Sequence, residues 1–380
     1  MGNKDGQLVE ERAFWLAWSQ ITGIGPVLLR RLQQHFGTLA EAWKASAAAL
    51  GEVEGFGRQT IEVVVATRSQ IHPEQLLKQH EQENPHLWTP ADTAEYPRLL
   101  LEVPSPPPIL YYRGEVQLQE NQGIKPLVGI VGTRDASEYG KRWTRKISAA
   151  LARNGFTVVS GLADGIDTEA HRACLEAGGR TLAVVGTGVD VVYPPRNREL
   201  YKQILAQGLV LSEYPAKTPP DRTHFPPRNR IIAGISRAVL VMEAPTRSGA
   251  LITARYANDF CRDVYVLPGT LDNPRSLGCL DLLSKGAQVI LSESHLLEML
   301  GAMPQLDVSA LASPTVEPQA LPNLEPELGQ VLEAIALDSM PFDLIVQQTG
   351  MSTGAVSSAL LQLELMGLVS QLPGMRYQRC

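Results

Sequence analysis

Six arginines fall within residues 221–255 (Arg222, Arg228, Arg230, Arg237, Arg247, Arg255), faced there by only Asp221 and Glu243. In HFPPRNRIIAG (His224–Gly234), Arg228 and Arg230 flank Asn229, and Phe225 stands just before them. A guanidinium fork holds a phosphate through paired N–H bonds. An aromatic face takes a splayed base, so this mixture is what a single-stranded nucleic acid needs. GIVGTR (Gly129–Arg134) ends an apolar run with Gly132, which admits close backbone approach, and with Arg134, a second fork. EAPTRSGALITA (Glu243–Ala254) opens a helix at Ser248-Gly249, where free N–H groups and the helix dipole suit a phosphate.

Other chemistries find less support. GTGVD (Gly186–Asp190) holds a GxG but lacks the third glycine and the immediate helix of a dinucleotide fingerprint. No GxxxxGK[ST] is present, so neither a nicotinamide cofactor nor a P-loop nucleotide is called for. In SGLADGIDTEAH, Asp167 and His171 are spaced to share a helix face and Asp164 lies nearby. One His with one carboxylate is short of a metal-ligand set, and Asp167 stands where a helix N-cap belongs. No metal and no catalytic residue is therefore expected.

The elements that must position these motifs are legible in the apolar pattern. From Leu127 to about Leu300, short apolar runs (Leu127–Val131, Phe156–Val159, Thr181–Val185, Leu209–Leu211, Ala238–Met242, Val264–Leu267, Gln288–Ile290) alternate with amphipathic helices such as Tyr139–Arg153 and Gly249–Phe260. Continuous apolar strands alternating with helices predict an α/β fold: a parallel, Rossmann-like sheet covered on both faces. GIVGTR, SGLADG and GTGVD then all fall after strands, at the ligand-binding edge of such a sheet. Residues 8–90 read as a helical domain, and residues 94–113 as a Pro-rich irregular stretch. ITGIGPVLLRRL and VEGFGRQTIEVV each place a GxG before a helix, at Gly23/Gly25 and Gly55/Gly57, as backbone-gripping helix-hairpin-helix elements do. The core runs over 94–300. A linker over 302–326 carries Pro304, Pro314, Pro318, Pro322 and Pro326, too many for continuous helix. Residues 327–380 read as three helices (Leu328–Leu337, Phe342–Thr349, Ser352–Met366) and a hairpin, a winged-helix pattern.

Charge sharpens this division. The 380 residues carry a net −6, which speaks against a uniformly basic nucleic-acid coat. The excess is acidic at both ends: residues 1–124 are net −5 and 301–380 net −6, while 125–300 are net +5. The presumed recognition helix of the winged domain has Glu364 and no Lys or Arg, and only Arg376 and Arg379 are basic nearby. Backbone affinity needs cations, so that domain reads as an accessory or protein-interaction module. Cys174, Cys261, Cys279 and Cys380 show neither CxxC nor zinc spacing, and no apolar run is long enough for a membrane span. A cytoplasmic location is expected.

The ordered motifs GIVGTR, SGLADGIDTEAH, GTGVDVVYP, LSEYP, FPPRNRIIAG, SGALITA and LPGTLDNPRSLGCLDLLSKGA closely resemble the DprA/Smf family of DNA-processing proteins, over nearly all of residues 95–290. The resemblance implies an extended Rossmann core that binds and protects single-stranded DNA and loads a RecA-type recombinase onto it in natural transformation. It implies no catalysis, a homodimer formed through the core, a helical N-terminal domain and a winged-helix C-terminal domain. The DNA pocket it implies maps to Gly132, Arg134, Ser160, Gly161, Gly186, Phe225, Arg228, Asn229, Arg230, Ser248 and Gly249. The sequence departs from the family's pattern at Ala250, Cys261 and Leu280. Two other readings stay open at this point: a Rossmann nucleotide sensor, and a nucleoside-monophosphate phosphoribohydrolase-like enzyme. The PGGxGT-type motif of the latter is missing.

Overall fold

Alternation along the apolar runs decides the layers. In a computed structural model, which describes residues 2–301, 326–335, 340–365, 368–372 and 376–379, Val128 and Ile130 face one apolar cluster, while Leu127 and Val131 face another on the opposite side. Ala238 and Leu240 divide from Val239 and Val241 in the same way. Successive strand side chains point to opposite faces, so a run that is apolar throughout must be covered twice. Helices Glu138–Arg153, Ile166–Glu176 and Glu293–Gly301 cover one face, through residues such as Ile147, Leu151, Ala170 and Leu296. Helices Phe225–Ile235, Gly249–Asp259 and Leu277–Ser284 cover the other, through Ile231, Ile232, Ala254 and Leu282.

The strands are β1 (Leu87–Trp88), β2 (Leu110–Gly114), β3 (Leu127–Val131), β4 (Thr157–Ser160), β5 (Thr181–Val184), β6 (Leu209–Ser212), β7 (Ala238–Val241), β8 (Asp263–Val266) and β9 (Gln288–Val289). They form one sheet in the order β1-β2-β6-β5-β4-β3-β7-β8-β9. β3 through β9 run parallel, and β1 and β2 add antiparallel to the β6 edge. The chain winds outward from β3 to β6, then returns to the middle and winds the other way from β7. The switch point therefore lies between β3 and β7, where loops diverge and leave a crevice beyond the strand ends.

β2 was not expected. The prolines of PSPPP end at Pro108, just before Leu110, so they remove no ladder donor from the strand. A buried ion pair fastens this extension. Arg180 Nε meets both Glu120 carboxylate oxygens, at 2.8 and 2.9 Å, and Arg180 Nη2 donates to the Glu115 carbonyl.

Two compact units divide the chain, residues 1–308 and 309–380. In the first, the N-terminal helices close a core of Trp15, Trp18, Leu29, Leu32 and Leu39, with Trp18 Nε1 donating to the Leu39 carbonyl. In the second, helices Pro326–Ala334, Phe342–Thr349 and Thr353–Leu365 pack on β10 (Met340–Pro341), β11 (Val369–Leu372) and β12 (Arg376–Arg379), an antiparallel sheet in the order β10-β12-β11. Ser352 accepts from Ala355 N and caps the last helix. The Pro-rich linker expected over 302–326 lies, apart from Pro326, outside the described residues. Among the described residues, no helix is long and apolar enough to cross a membrane.

Candidate nucleic-acid interface

The crevice at the switch point is a cavity of ≈ 560 Å³. Gly132 and Arg134 reach it from the loop after β3, and Ser248 and Gly249 from the loop after β7. Phe225, Arg228 and Asn229 come from the first turn of helix Phe225–Ile235. Gly132 has no room for a side chain, because a Cβ there would collide with Ile166 and come 2.9 Å from the Glu243 carbonyl. Ser248 caps helix Gly249–Asp259 by accepting from Ala250 N. The positive end of that helix dipole therefore opens at the cavity wall.

Phe225 is the centre of the arrangement. The Arg134 guanidinium carbon lies 5.5 Å from its ring centroid, that of Arg228 lies 5.9 Å away, and the Tyr193 ring stacks beside it at 5.6 Å. Cations within about 6 Å of a ring face are attracted by its quadrupole. The ring and its guanidinium neighbours can present stacking surface and positive charge together. Gly186 lies beneath, and a Cβ there would meet the Phe225 ring at 2.9 Å.

The arginines of the cluster divide into two kinds. Arg228 is buried: Nη1 donates to the carbonyls of Gly161, at 2.9 Å, and Val184, and Nε donates to Asn229 Oδ1. Burial pulls its pKa down to about 10, against the favourable charge of Asp167, so it remains a cation at neutral pH. Arg230 is also buried. It pairs with Glu213 at 2.8 Å and does not line the cavity. Arg134, Arg222 and Arg247, by contrast, are exposed at the rim, and among the described residues none has an ion partner. Arg222, Arg247 and Tyr193 were not singled out from sequence. Both arginines lie in the counted cluster, but nothing in their spacing separates a free guanidinium from an engaged one.

Ser160 and Gly161 are not brought to the cavity lining either. Ser160 Oγ donates to the Ile130 carbonyl, and Gly161 N donates to Asp167 Oδ2. Asp167 also accepts from Ala163 N, and it sits inside the first turn of helix Ile166–Glu176, whose N-cap is Gly165. The capping role read for Asp167 is thus replaced by a loop-organising one: the carboxylate folds back onto backbone that precedes the helix. Glu243 is a second organiser that the sequence reading missed. Its carboxylate accepts from Ser137 N, Ser137 Oγ and Asn273 Nδ2, and its carbonyl accepts from Thr133 N, which ties three loops around the cavity.

His171 is buried and does not join Asp167 in a ligand pair. Thr181 Oγ1 donates to the Val158 carbonyl, so it accepts from His171 Nδ1–H, and His171 Nε2 has no partner among the described residues. Burial, with Arg228 nearby, lowers its pKa from 6.5 to about 3. The unfolded chain takes up this proton near pH 6.5 and the folded chain does not until about 3. Stability therefore falls as pH drops through that window. Between pH 7 and 5 the loss is expected to be about 2 kcal/mol. Urea midpoints for wild type and His171→Asn check it, since the variant should lose this component.

At the hairpins of the N-terminal helices, Gly25 and Gly57 are N-caps as the GxG pattern suggests. The nearby cations are engaged elsewhere. Arg31 binds the Glu54 carboxylate and carbonyl, Arg30 the Val103 carbonyl, and Arg58 the Glu62 carboxylate.

The chain matches the family model of DNA recombination-mediator protein A over residues 86–301, and that of the DprA winged helix domain over 315–375. It is 54% identical to Protein Smf of Synechocystis sp., over 97% of this chain and 99% of that one. It is 38% identical to Protein Smf of Escherichia coli, over 77% of each. The structure of DNA processing protein A from Streptococcus pneumoniae superposes with a TM-score of 0.66 and 34% identity, covering 75% of this chain and 97% of that one. With its Rossmann-like core and winged-helix unit, the chain belongs to the DprA/Smf family, the DNA recombination-mediator A proteins.

Proposed function

We propose that this protein binds single-stranded DNA at the switch-point cavity and acts in DNA processing during natural transformation, protecting the strand and passing it to a RecA-type recombinase. The observation that carries this reading is Phe225, partly exposed, with Arg134 5.5 Å from its ring, in a cavity that Arg222 and Arg247 also line; these three cations have no ion partner among the described residues. One or more bases would stack on Phe225 and Tyr193, while the rim arginines and the N–H groups at Gly249 hold phosphates. Gly132 and Asn229 belong to this contact surface; Ser160, Gly161, Gly186, Arg228 and Arg230 shape it from behind. Stacking and phosphate contacts read no base edges, so sequence preference should be small.

We read the protein as a binder and not an enzyme. Among the described residues, Asp167 is the one carboxylate lining the cavity, and it is committed to backbone N–H groups. Burial raises its pKa against the pull of Arg228 and those donors. Nothing else there is placed to act as its acid–base partner. We further propose that the 94–300 core carries the strand in a cytoplasmic homodimer formed through that core, and that the 8–90 helices and the 327–380 winged helix are accessory domains.

Phe225→Ala should weaken binding of oligo-dT by about tenfold, with the salt dependence unchanged, because a neutral stacking surface is lost and no cation. Fluorescence anisotropy across a salt series checks this. Equal affinity of the variant and wild type would remove Phe225 from the contact.

A further inference from the structure

A second polar groove, of ≈ 460 Å³, shares Arg134 with the first cavity and continues past it between the starts of helices Glu138–Arg153 and Ile166–Glu176. Its other charged lining residues are Asp135, Lys141, Asp164, Glu169, Arg172 and Arg196. Each carboxylate is already matched. Asp135 pairs with Arg275 at 2.5 Å, Asp164 with Arg196, and Glu169 with Arg145 at 2.5 Å. Arg275 and Arg145 come from outside the lining, so their charge is added to that of the groove. Arg172 reaches Glu169 only at 4.0 Å, on a carboxylate that Arg145 already holds. Lys141 pairs with Glu138 at 2.9 Å, an i,i+3 pair on the open surface, of the kind that is worth little and that a phosphate can displace. With those partners counted, Arg134, Lys141, Arg145, Arg172, Arg196 and Arg275 stand against Asp135, Glu138, Asp164 and Glu169, a surplus of two positive charges, and Arg134, Arg172 and the loosely paired Lys141 are the cations open to a phosphate. Among the described residues, no aromatic side chain lines the groove.

Resting on the single-strand reading above, we infer that this groove is the next segment of the strand's path. The DNA leaves the Phe225 cavity over Arg134, and Lys141 and Arg172 take the following phosphates. The two parts differ in what they read. The first holds a base by stacking and phosphates by charge. The second has cations and no ring, so it holds the sugar–phosphate chain whatever is attached to it, including nothing. Glu169 and Asp164 stay neutralised by their partners and do not repel the strand.

The test uses the full chain and an oligo-dT of about eight nucleotides. Its affinity is compared with that of the same oligonucleotide extended, at either end, by about four abasic deoxyribose phosphates. For wild type, extension at one end at least should tighten binding by about 20-fold at 0.1 M salt and steepen the salt slope by about 1.4, the value for two neutralised phosphates. In the double variant Lys141→Glu/Arg172→Glu that gain should vanish, while binding of the unextended oligonucleotide persists and shows the fold intact. Should the charge reversal also weaken the unextended complex, Lys141→Gln/Arg172→Gln becomes the deciding pair. A wild type that gains nothing from either extension, or a variant that keeps the full gain, overturns the groove assignment. Failure of wild type to bind oligo-dT at all would instead overturn the single-strand reading on which it rests.

Discussion

Replacing Arg134, Arg222 and Arg247 together by alanine is expected to cost about 100-fold in affinity for oligo-dT at 0.1 M salt, and to flatten the slope of log K against log salt by about 2. Each cation that neutralises a phosphate of a single strand contributes about 0.7 to that slope. These three are the exposed cations of the cavity rim, and among the described residues none has an ion partner. Apart from the exposed contact of Arg134 with the Phe225 ring they make no ion pair that holds the fold, so the triple variant should unfold near the wild-type urea concentration. Loss of affinity without a change in salt slope would show that they are not phosphate contacts. The loss should be the same for dT, dA and mixed sequences, since phosphate contacts carry no sequence information.

Arg228→Met is expected to behave in the opposite manner: a destabilisation of about 3–5 kcal/mol, with any loss of binding following from it. The guanidinium holds the carbonyl groups of Gly161 and Val184, the residues at which β4 and β5 hand over to their loops. It is also the buried positive charge that opposes the buried Asp167 carboxylate. Removing it leaves two carbonyls without that donor and an acid without its counter-charge. A shorter Lys delivers a point charge but no fork, so Arg228→Lys should recover only part of the loss. Urea denaturation of the two variants decides the matter. Wild-type stability in Arg228→Met, together with weakened DNA binding, would return Arg228 to the role of a direct phosphate contact.

The same contrast marks how far the sequence could be read. Apolar runs such as Leu127–Val131 and Ala238–Met242 have a physical meaning that does not depend on the rest of the chain: a strand apolar on both sides has to be buried on both sides. The parallel sheet, its covering helices, and the placing of GIVGTR and EAPTRSGALITA at strand ends followed from that alone. β2 did not follow, because the prolines just before it suggest a loop and its pairing with β6 is a long-range event. Residues near Gly25 and Gly57 show the converse. The local GxG signal correctly placed two helix starts, but only the fold reveals that Arg30, Arg31 and Arg58 have protein partners.

The sequence by itself determined the parallel strands of the sheet, the family motifs and the concentration of arginine in 221–255. Composition and periodicity are local properties, and they survive without knowing which residues meet. Only the tertiary structure decided which arginines are free. Arg228 and Arg230 lie one turn into a helix whose inner face is buried, so their charges are spent on Gly161, Val184 and Glu213. Arg134, Arg222 and Arg247 lie on loops that converge at the switch point from distant parts of the chain, where no carboxylate among the described residues pairs with them. A guanidinium's availability depends on what lies within about 4 Å of it, and that distance is set by the packing of elements far apart in sequence.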